Sequence, residues 1–268
     1  MNTQFARSQT GTSAPRSVGR PTITAAIIAL NEERNLPGLL QRLAWADEVV
    51  VVDGGSTDAT RDIVRYHGYR LAERPFDTFA RQRNHALDLA NGDWVLSIDA
   101  DERPAAGLAQ EIRTAIARGS ADGYRVPIRS RIFGRPVRRS GTQDDCPVRL
   151  FRRGRAWWTG SVHEVLQVMG RVGRLNVWLE HDTLPDLRAF LAKMERYTTL
   201  EANARVAAGR APRRWDCWWA PPREIGRRLL WKQGLLDGPA GWAFSLLSGL
   251  SEWVLTQKHR RLWEARHG

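Results

Sequence analysis

The chain has 268 residues, 41 Lys or Arg against 29 Asp or Glu, a formal charge of +12 and two cysteines, Cys146 and Cys217, which lie far apart without metal-ligand spacing. That length suits one large domain or a domain with an appendage, and the cysteine content excludes a disulfide scaffold and makes a reducing compartment the default. The basic excess is nearly all arginine, because Lys193, Lys232 and Lys258 are the only lysines; nucleic acid, an anionic membrane and a nucleotide-sugar diphosphate would each satisfy that charge.

Residues 1–20 carry Ser, Thr, Gly and three arginines but no apolar core, so they read as a disordered arm and not as a signal peptide. The run Ile23-Thr24-Ala25-Ala26-Ile27-Ile28-Ala29-Leu30 reads as a buried strand of parallel type, ended by Asn31-Glu32-Glu33. Leu36, Leu39, Leu40 and Leu43 then recur at helical spacing before a second buried strand, Val49-Val50-Val51-Val52, which ends at Asp53. The turn Gly54-Gly55-Ser56-Thr57-Asp58 leads into a helix over residues 59–67, closed by Gly68. A helix over 78–90 carries Arg81, Arg83 and Asn84, and Asn91-Gly92-Asp93 turns the chain into a third apolar strand, Trp94-Val95-Leu96-Ser97-Ile98. This alternation predicts a doubly wound, mainly parallel α/β sheet.

That last strand runs out into Asp99-Ala100-Asp101-Glu102. Open α/β sheets bind ligands at the carboxyl ends of their strands, and Mg²⁺ commonly takes one or two protein carboxylates plus substrate phosphates. The pair Asp99 and Asp101 therefore suits a metal held against a diphosphate. A helix over 107–118 follows, and between Arg125 and Arg155 ten arginines accompany only Asp144 and Asp145. Short β-like pieces, 124–126 and 148–151, lie inside that stretch, which suits a diphosphate, an acidic acceptor or a solvated rim. A further short strand, 177–180, precedes His181. Beyond Asp186 the pattern turns helical and holds seven of the twelve tryptophans. Its longest weakly charged run, 238–251, is shorter than the ~20 apolar residues of a spanning helix, and its basic, tryptophan-rich flanks suit the membrane interface.

Together the marks Ala29-Leu30-Asn31-Glu32-Glu33-Arg34-Asn35-Leu36, Val52-Asp53-Gly54-Gly55-Ser56-Thr57-Asp58, Gln82-Arg83-Asn84, Gly92 to Glu102, Arg149-Leu150-Phe151 and Val162-His163-Glu164 resemble family-2 glycosyltransferases of the GT-A fold. The branch they resemble most is that of lipopolysaccharide-core β-1,4-glucosyltransferase-like enzymes. The resemblance covers nearly the whole chain after residue 20. It implies a GT-A catalytic domain over 21–185, with a Rossmann-like, mainly parallel sheet, and a helical, basic extension over 186–268 on the membrane or acceptor side.

It further implies that Asp53 meets the nucleotide base, with Ala29, Asn31 and Glu32 lining the uridine pocket, Arg83 near the pyrophosphate, Asp99 near the ribose and Asp101 on a Mg²⁺ or Mn²⁺ ion. Glu164 becomes the general base, His163 its neighbour, and His181 a group approaching metal or diphosphate. From the residues alone, Asp53 also reads as the cap of its turn, Arg83 as an exposed arginine and His181 as a packed junction histidine. One departure stands out: relatives carry an aromatic residue and a Pro-Asp pair after the equivalent of Gly141, whereas this chain reads Thr142-Gln143-Asp144-Asp145-Cys146-Pro147.

The expected function is inverting, metal-dependent transfer of a hexose, glucose foremost, from a UDP-sugar to a membrane-borne saccharide or glycolipid. The expected place is the cytoplasmic face of the bacterial inner membrane, in peripheral contact with anionic lipid and with no nucleic acid partner. Polyprenyl-phosphate glycosyl transfer is the nearest alternative among enzymes. A basic nucleic-acid-binding protein is the alternative from another class, and it leaves the acidic strand end without a purpose.

Overall fold

The computed structural model describes residues 19–142, 145–160, 164–184 and 186–267. Strands and helices alternate at first: β1 (Ile23–Ala29), α1 (Leu36–Arg42), β2 (Glu48–Asp53), α2 (Thr60–Tyr66), β3 (Arg70–Glu73), α3 (Phe79–Leu89) and β4 (Trp94–Asp99). Then come β5 (Glu102–Pro104), α4 (Leu108–Arg118), β6 (Gly123–Arg125), β7 (Ile128–Ile132), β8 (Arg135–Val137) and β9 (Val148–Arg152). The last strands are β10 (Ala156–Thr159), β11 (Val165–Val168), β12 (Val172–Arg174) and β13 (Leu179–Leu184). From there on the described chain is helical, with α5 (Leu187–Ala207), α6 (Asp216–Gly226) running into a π-helical turn at Arg227–Trp231, a 3₁₀ turn at Gly234–Asp237 and α7 (Gly238–His267).

The main sheet has the order β12-β6-β9-β4-β1-β2-β3. β3, β2, β1 and β4 are mutually parallel, and only β9 runs against its neighbours. Both faces of the parallel strands are covered, which explains their near-continuous apolar sequence. Ile23, Ala25 and Ile27 pack with Leu36, Leu39 and Leu40 of α1 and Ile112 of α4, while Ala26 and Val95 pack with Ala86 of α3 and Phe151 of β9. Each fully buried Ile or Leu contributes about 1.5–3 kcal/mol relative to exposure.

Topology then positions the chemistry. Ala29 pairs with Asp53 and Ile28 with Asp99, so the carboxyl ends of β1, β2 and β4 share one edge. Because β9 is antiparallel and sets Leu150 beside Leu96, the preceding Arg149 comes to the same edge. A smaller sheet, β5-β13-β7-β8, sets His181 opposite Glu102. The turn into β4 requires glycine at Gly92, where a Cβ would stand 2.7 Å from the Thr24 backbone nitrogen.

Several elements differ from expectation. β3 was not read from the sequence, because an edge strand of the form Arg-Leu-Ala-Glu has no buried face to advertise itself. The strand near 177–180 begins later, at Leu179, and contains His181 instead of preceding it, since pairing with β5 and β7 carries it on to Leu184. In the arginine-rich stretch, β7 alternates buried Ile128, Ser130 and Ile132 with the more exposed Arg129 and Arg131. Among the described residues no helix is long and apolar enough to cross a membrane.

Candidate active site

Asp99 ends β4 with its carboxylate between two guanidinium groups. Arg83 Nη2 of α3 lies 2.7 Å from Oδ1, and Arg149 Nη2 of β9 donates to Oδ2 at 2.8 Å. Both arginines are largely buried. Burial alone would raise the Asp99 carboxyl, but Arg149 and Arg83 outweigh it and hold it well below the usual carboxylate range. Arg149 also donates through a very short contact to Glu102, whose other oxygen accepts the Asp99 backbone N–H at 2.9 Å. Glu102 is 1% exposed and so does not face water. Burial pushes its carboxyl up to about 7, with Arg149 opposing.

The acidic run therefore divides. Asp99 and Glu102 anchor arginines, whereas Asp101 turns to His181, whose Nε2 stands 3.0 Å from Oδ2. Thr183 Oγ1 lies 3.3 Å from the other ring nitrogen, Nδ1. Burial lowers the His181 pKa and the bond to Asp101 more than restores it, for a net rise; Asp101 is lowered by the same bond, against its own burial. Among the described residues no group of three or more His, Cys, Asp or Glu forms a ready-made metal cage. Asp101 and His181 do supply a converging carboxylate oxygen and imidazole nitrogen, a donor set that fits an ion whose other positions belong to diphosphate and water.

Arg83 reaches a second carboxylate. Its Nε lies 3.7 Å from Glu164 Oε1, at the start of β11, and its guanidinium carbon sits 4.8 Å from the centre of the Trp158 ring. Asn84 fixes that ring through the backbone of Trp158, accepting its N–H at 2.8 Å and donating to its carbonyl at 2.9 Å. Buried Arg83 Nε, Arg149 Nε and Trp158 Nε1 have no hydrogen-bond partner. Three orphaned donors around one acidic site are the condition an anionic ligand relieves. His163 lies outside the described residues.

At the β1 and β2 ends the side chains build turns. Asp53 is 0% exposed; its Oδ2 accepts the backbone N–H groups of Gly55 and Ser56 at 3.0 and 2.9 Å, and its Oδ1 accepts the Ser56 hydroxyl. Its carboxylate thus caps the turn at the carboxyl end of β2, one of the two roles its sequence position offers. Asn31, in the left-handed region at φ 57°, donates its backbone N–H to Ser56 Oγ and accepts from Thr57 N, each at 2.8 Å. Ala29 accepts the Gly54 N–H at 2.8 Å. Glu32 accepts from Asn35 Nδ2 at 2.7 Å. Burial raises its carboxyl, with the charge of Asp101 adding to the rise and that of Lys193 opposing, so Glu32 senses Asp101.

Two residues of α5 complete the site. Lys193 is felt electrostatically at Glu32, Asp101 and His181. Burial raises the Tyr197 hydroxyl, with Glu164, Asp101 and Asp99 adding to the effect. Lys193, Met194 and Tyr197 also line a cavity of about 300 Å³ with Thr183, Phe190 and Phe244. Lys193 and Trp158 were not legible as site residues in the sequence; that Lys193 is one of only three lysines in an arginine-rich chain was the available hint.

Residues 24–169 match the sequence model described as glycosyl transferase family 2. The chain is 31% identical over 242 residues to a lipopolysaccharide core biosynthesis glycosyltransferase, LpsC, of Rhizobium meliloti (strain 1021), a match covering 84% of this chain and 90% of that protein. It is 36% identical over 103 residues to an uncharacterised glycosyltransferase of Rickettsia conorii, across 38% of this chain and 36% of that protein. Among solved structures, S. aureus TarS 1-349 in complex with UDP-GlcNAc aligns with a TM-score of 0.48 at 15% identity, covering 91% of each chain.

Proposed function

The chain belongs to glycosyl transferase family 2, and on that premise we propose that it transfers a hexose, glucose foremost, from a UDP-sugar to a membrane-borne saccharide such as lipopolysaccharide core, with inversion at the anomeric carbon. The observation that carries this reading is the gathering of Arg83 and Arg149 on Asp99, beside the Asp101–His181 pair, at the carboxyl edge of the parallel sheet. Buried guanidinium groups whose Nε donors lack a hydrogen bond favour a diphosphate. The acceptor class rests on the similarity to LpsC, a lipopolysaccharide core biosynthesis glycosyltransferase.

In this reading the uridine end lies against the turns that Ala29, Asn31, Glu32 and Asp53 shape, Asp53 acting by holding the turn. Asp101 and His181 would hold the divalent cation, Mg²⁺ or Mn²⁺, whose chemistry is to offset charge on the departing diphosphate. Glu164 accepts the proton of the acceptor hydroxyl as that oxygen bonds to the anomeric carbon. The bond from that carbon to the diphosphate breaks with its electron pair on UDP, and Arg83 and Arg149 offset the charge that develops. His163, next in sequence to Glu164, is its catalytic partner in this reading. The acceptor enters beneath α5, past Lys193 and Tyr197, from the cytoplasmic face of the inner membrane.

A screen of nucleotide sugars for metal-dependent hydrolysis tests the reading without needing the acceptor. Turnover of a UDP-hexose with Mn²⁺ or Mg²⁺, lost on chelation, supports it. Oligonucleotide binding that is salt-sensitive and indifferent to Asp101→Ala, with no hydrolysis of any nucleotide sugar, overturns it.

A further inference from the structure

Six tryptophans of the helical segment are substantially exposed, a costly arrangement for a water-facing surface. On α6 and the turn before it, Trp215, Trp218, Trp219 and Pro222 recur at helical spacing and together line one shallow hollow. Trp218 is 74% exposed, and Trp231, in the π-helical turn that follows, is 82% exposed. A second stripe, Trp242, Leu246, Leu250 and Trp253, runs along one face of α7 and is also exposed. The two helices are locked together where Ile225 and the Pro221 carbonyl approach Gly249 so closely that a Cβ there would lie 2.5 Å from Ile225. Trp242 Nε1 further ties α7 to the 3₁₀ turn through the Leu235 carbonyl at 3.3 Å.

Charge argues for the occupant. Between residues 210 and 240 there are seven basic residues and three acidic ones, with Arg213, Arg214 and Arg223 exposed around the α6 tryptophans. Tryptophan is the side chain that settles at the boundary of headgroups and acyl chains, and basic residues beside it are attracted to anionic lipid. Among the described residues no helix crosses a membrane, so attachment through these stripes is interfacial.

We infer that the exposed tryptophan-leucine stripes of α6 and α7, with Trp231 between them in sequence, form a monotopic docking surface for an anionic phospholipid bilayer. The inference rests on the reading of a membrane-borne acceptor, because the helices that carry the stripes also line the cavity beneath α5: Arg228 from the π-helical turn and Phe244 and Ser248 from α7. Docking would hold that cavity close to the lipid surface.

The full chain is tested by co-sedimentation with vesicles of phosphatidylglycerol and phosphatidylcholine, against phosphatidylcholine alone, together with the tryptophan emission maximum. Wild type is expected to sediment with the anionic vesicles and shift its emission to the blue. The Trp218→Ala/Trp219→Ala and Trp242→Ala/Leu246→Ala variants should each partition about tenfold or more weakly, and Trp218→Phe/Trp219→Phe should retain most of the binding. All these side chains are exposed, so circular dichroism and UDP binding should be unchanged. Equal partitioning of the alanine variants overturns the inference, as does binding that salt abolishes but alanine leaves intact. A solution dimer broken by the same substitutions would assign the surface to a second copy of the chain instead. Vesicles without acceptor report docking alone and nucleotide-sugar hydrolysis reports the chemistry alone, so failure of one is distinguishable from failure of the other.

Discussion

His181 Nε2 stands 3.0 Å from Asp101 Oδ2 although 80 residues separate them in sequence. The pairing of β13 with β5 makes the contact, and the Asp182 backbone N–H, donating to the Asp101 carbonyl at 3.2 Å, secures it. His181 is raised above 6.5 and Asp101 lowered below 3.8. Without metal, the histidine's contribution to stability is full below pH 6.5 and fades as pH rises through its folded value. The aspartate's is full above pH 3.8 and fades as pH falls through its own. Ligation needs a neutral imidazole. Mn²⁺ affinity should therefore climb with pH through the raised His181 value and release a proton, measured by calorimetry in buffers of different ionisation enthalpy. His181→Gln should flatten the climb.

Arg149 holds two buried carboxylates. Arg149→Met leaves Asp99 short of one partner and takes from Glu102 the guanidinium it pairs with, and should destabilise the fold by about 3–5 kcal/mol in urea titration. Adding Glu102→Gln should recover part of that loss, because the replacement still accepts the Asp99 N–H but needs no counter-charge. UDP binding should stay weak in both variants.

Asn84 acts through Trp158. Asn84→Ala removes both backbone bonds and leaves buried groups unpaired, about 1–3 kcal/mol of stability for each. With the Trp158 ring released from Arg83, KM for the donor should rise more than kcat falls, a split that steady-state kinetics would show.

Glu164→Gln keeps the size of the side chain and removes the proton acceptor. Turnover should fall by roughly 10²–10⁴-fold, while UDP affinity measured by calorimetry stays within about twofold of wild type.

The parallel core was legible because β1, β2 and β4 are buried on both faces and so spell continuous apolar runs. Asp99 and Asp101 were legible as a pair at a strand end. The side chains each one meets were not, because they depend on Arg83, Arg149 and His181 arriving from three other elements. Asp53 was legible as the end of β2, and its capping bonds to Gly55 and Ser56 follow from the turn sequence itself. β3 and β7 escaped notice for different reasons, one lacking a buried face and the other having its alternation masked by arginine. Lys193 and Tyr197 lie on a helix whose docking over the site no local pattern encodes.

The most direct test of the account is calorimetric binding of UDP with and without Mn²⁺, in wild type and Asp101→Ala. The account predicts that wild type binds UDP at least about tenfold more tightly with Mn²⁺, and that Asp101→Ala keeps its fold and loses this enhancement. Equal UDP affinity with and without Mn²⁺ in wild type, or an undiminished enhancement in Asp101→Ala, would contradict it.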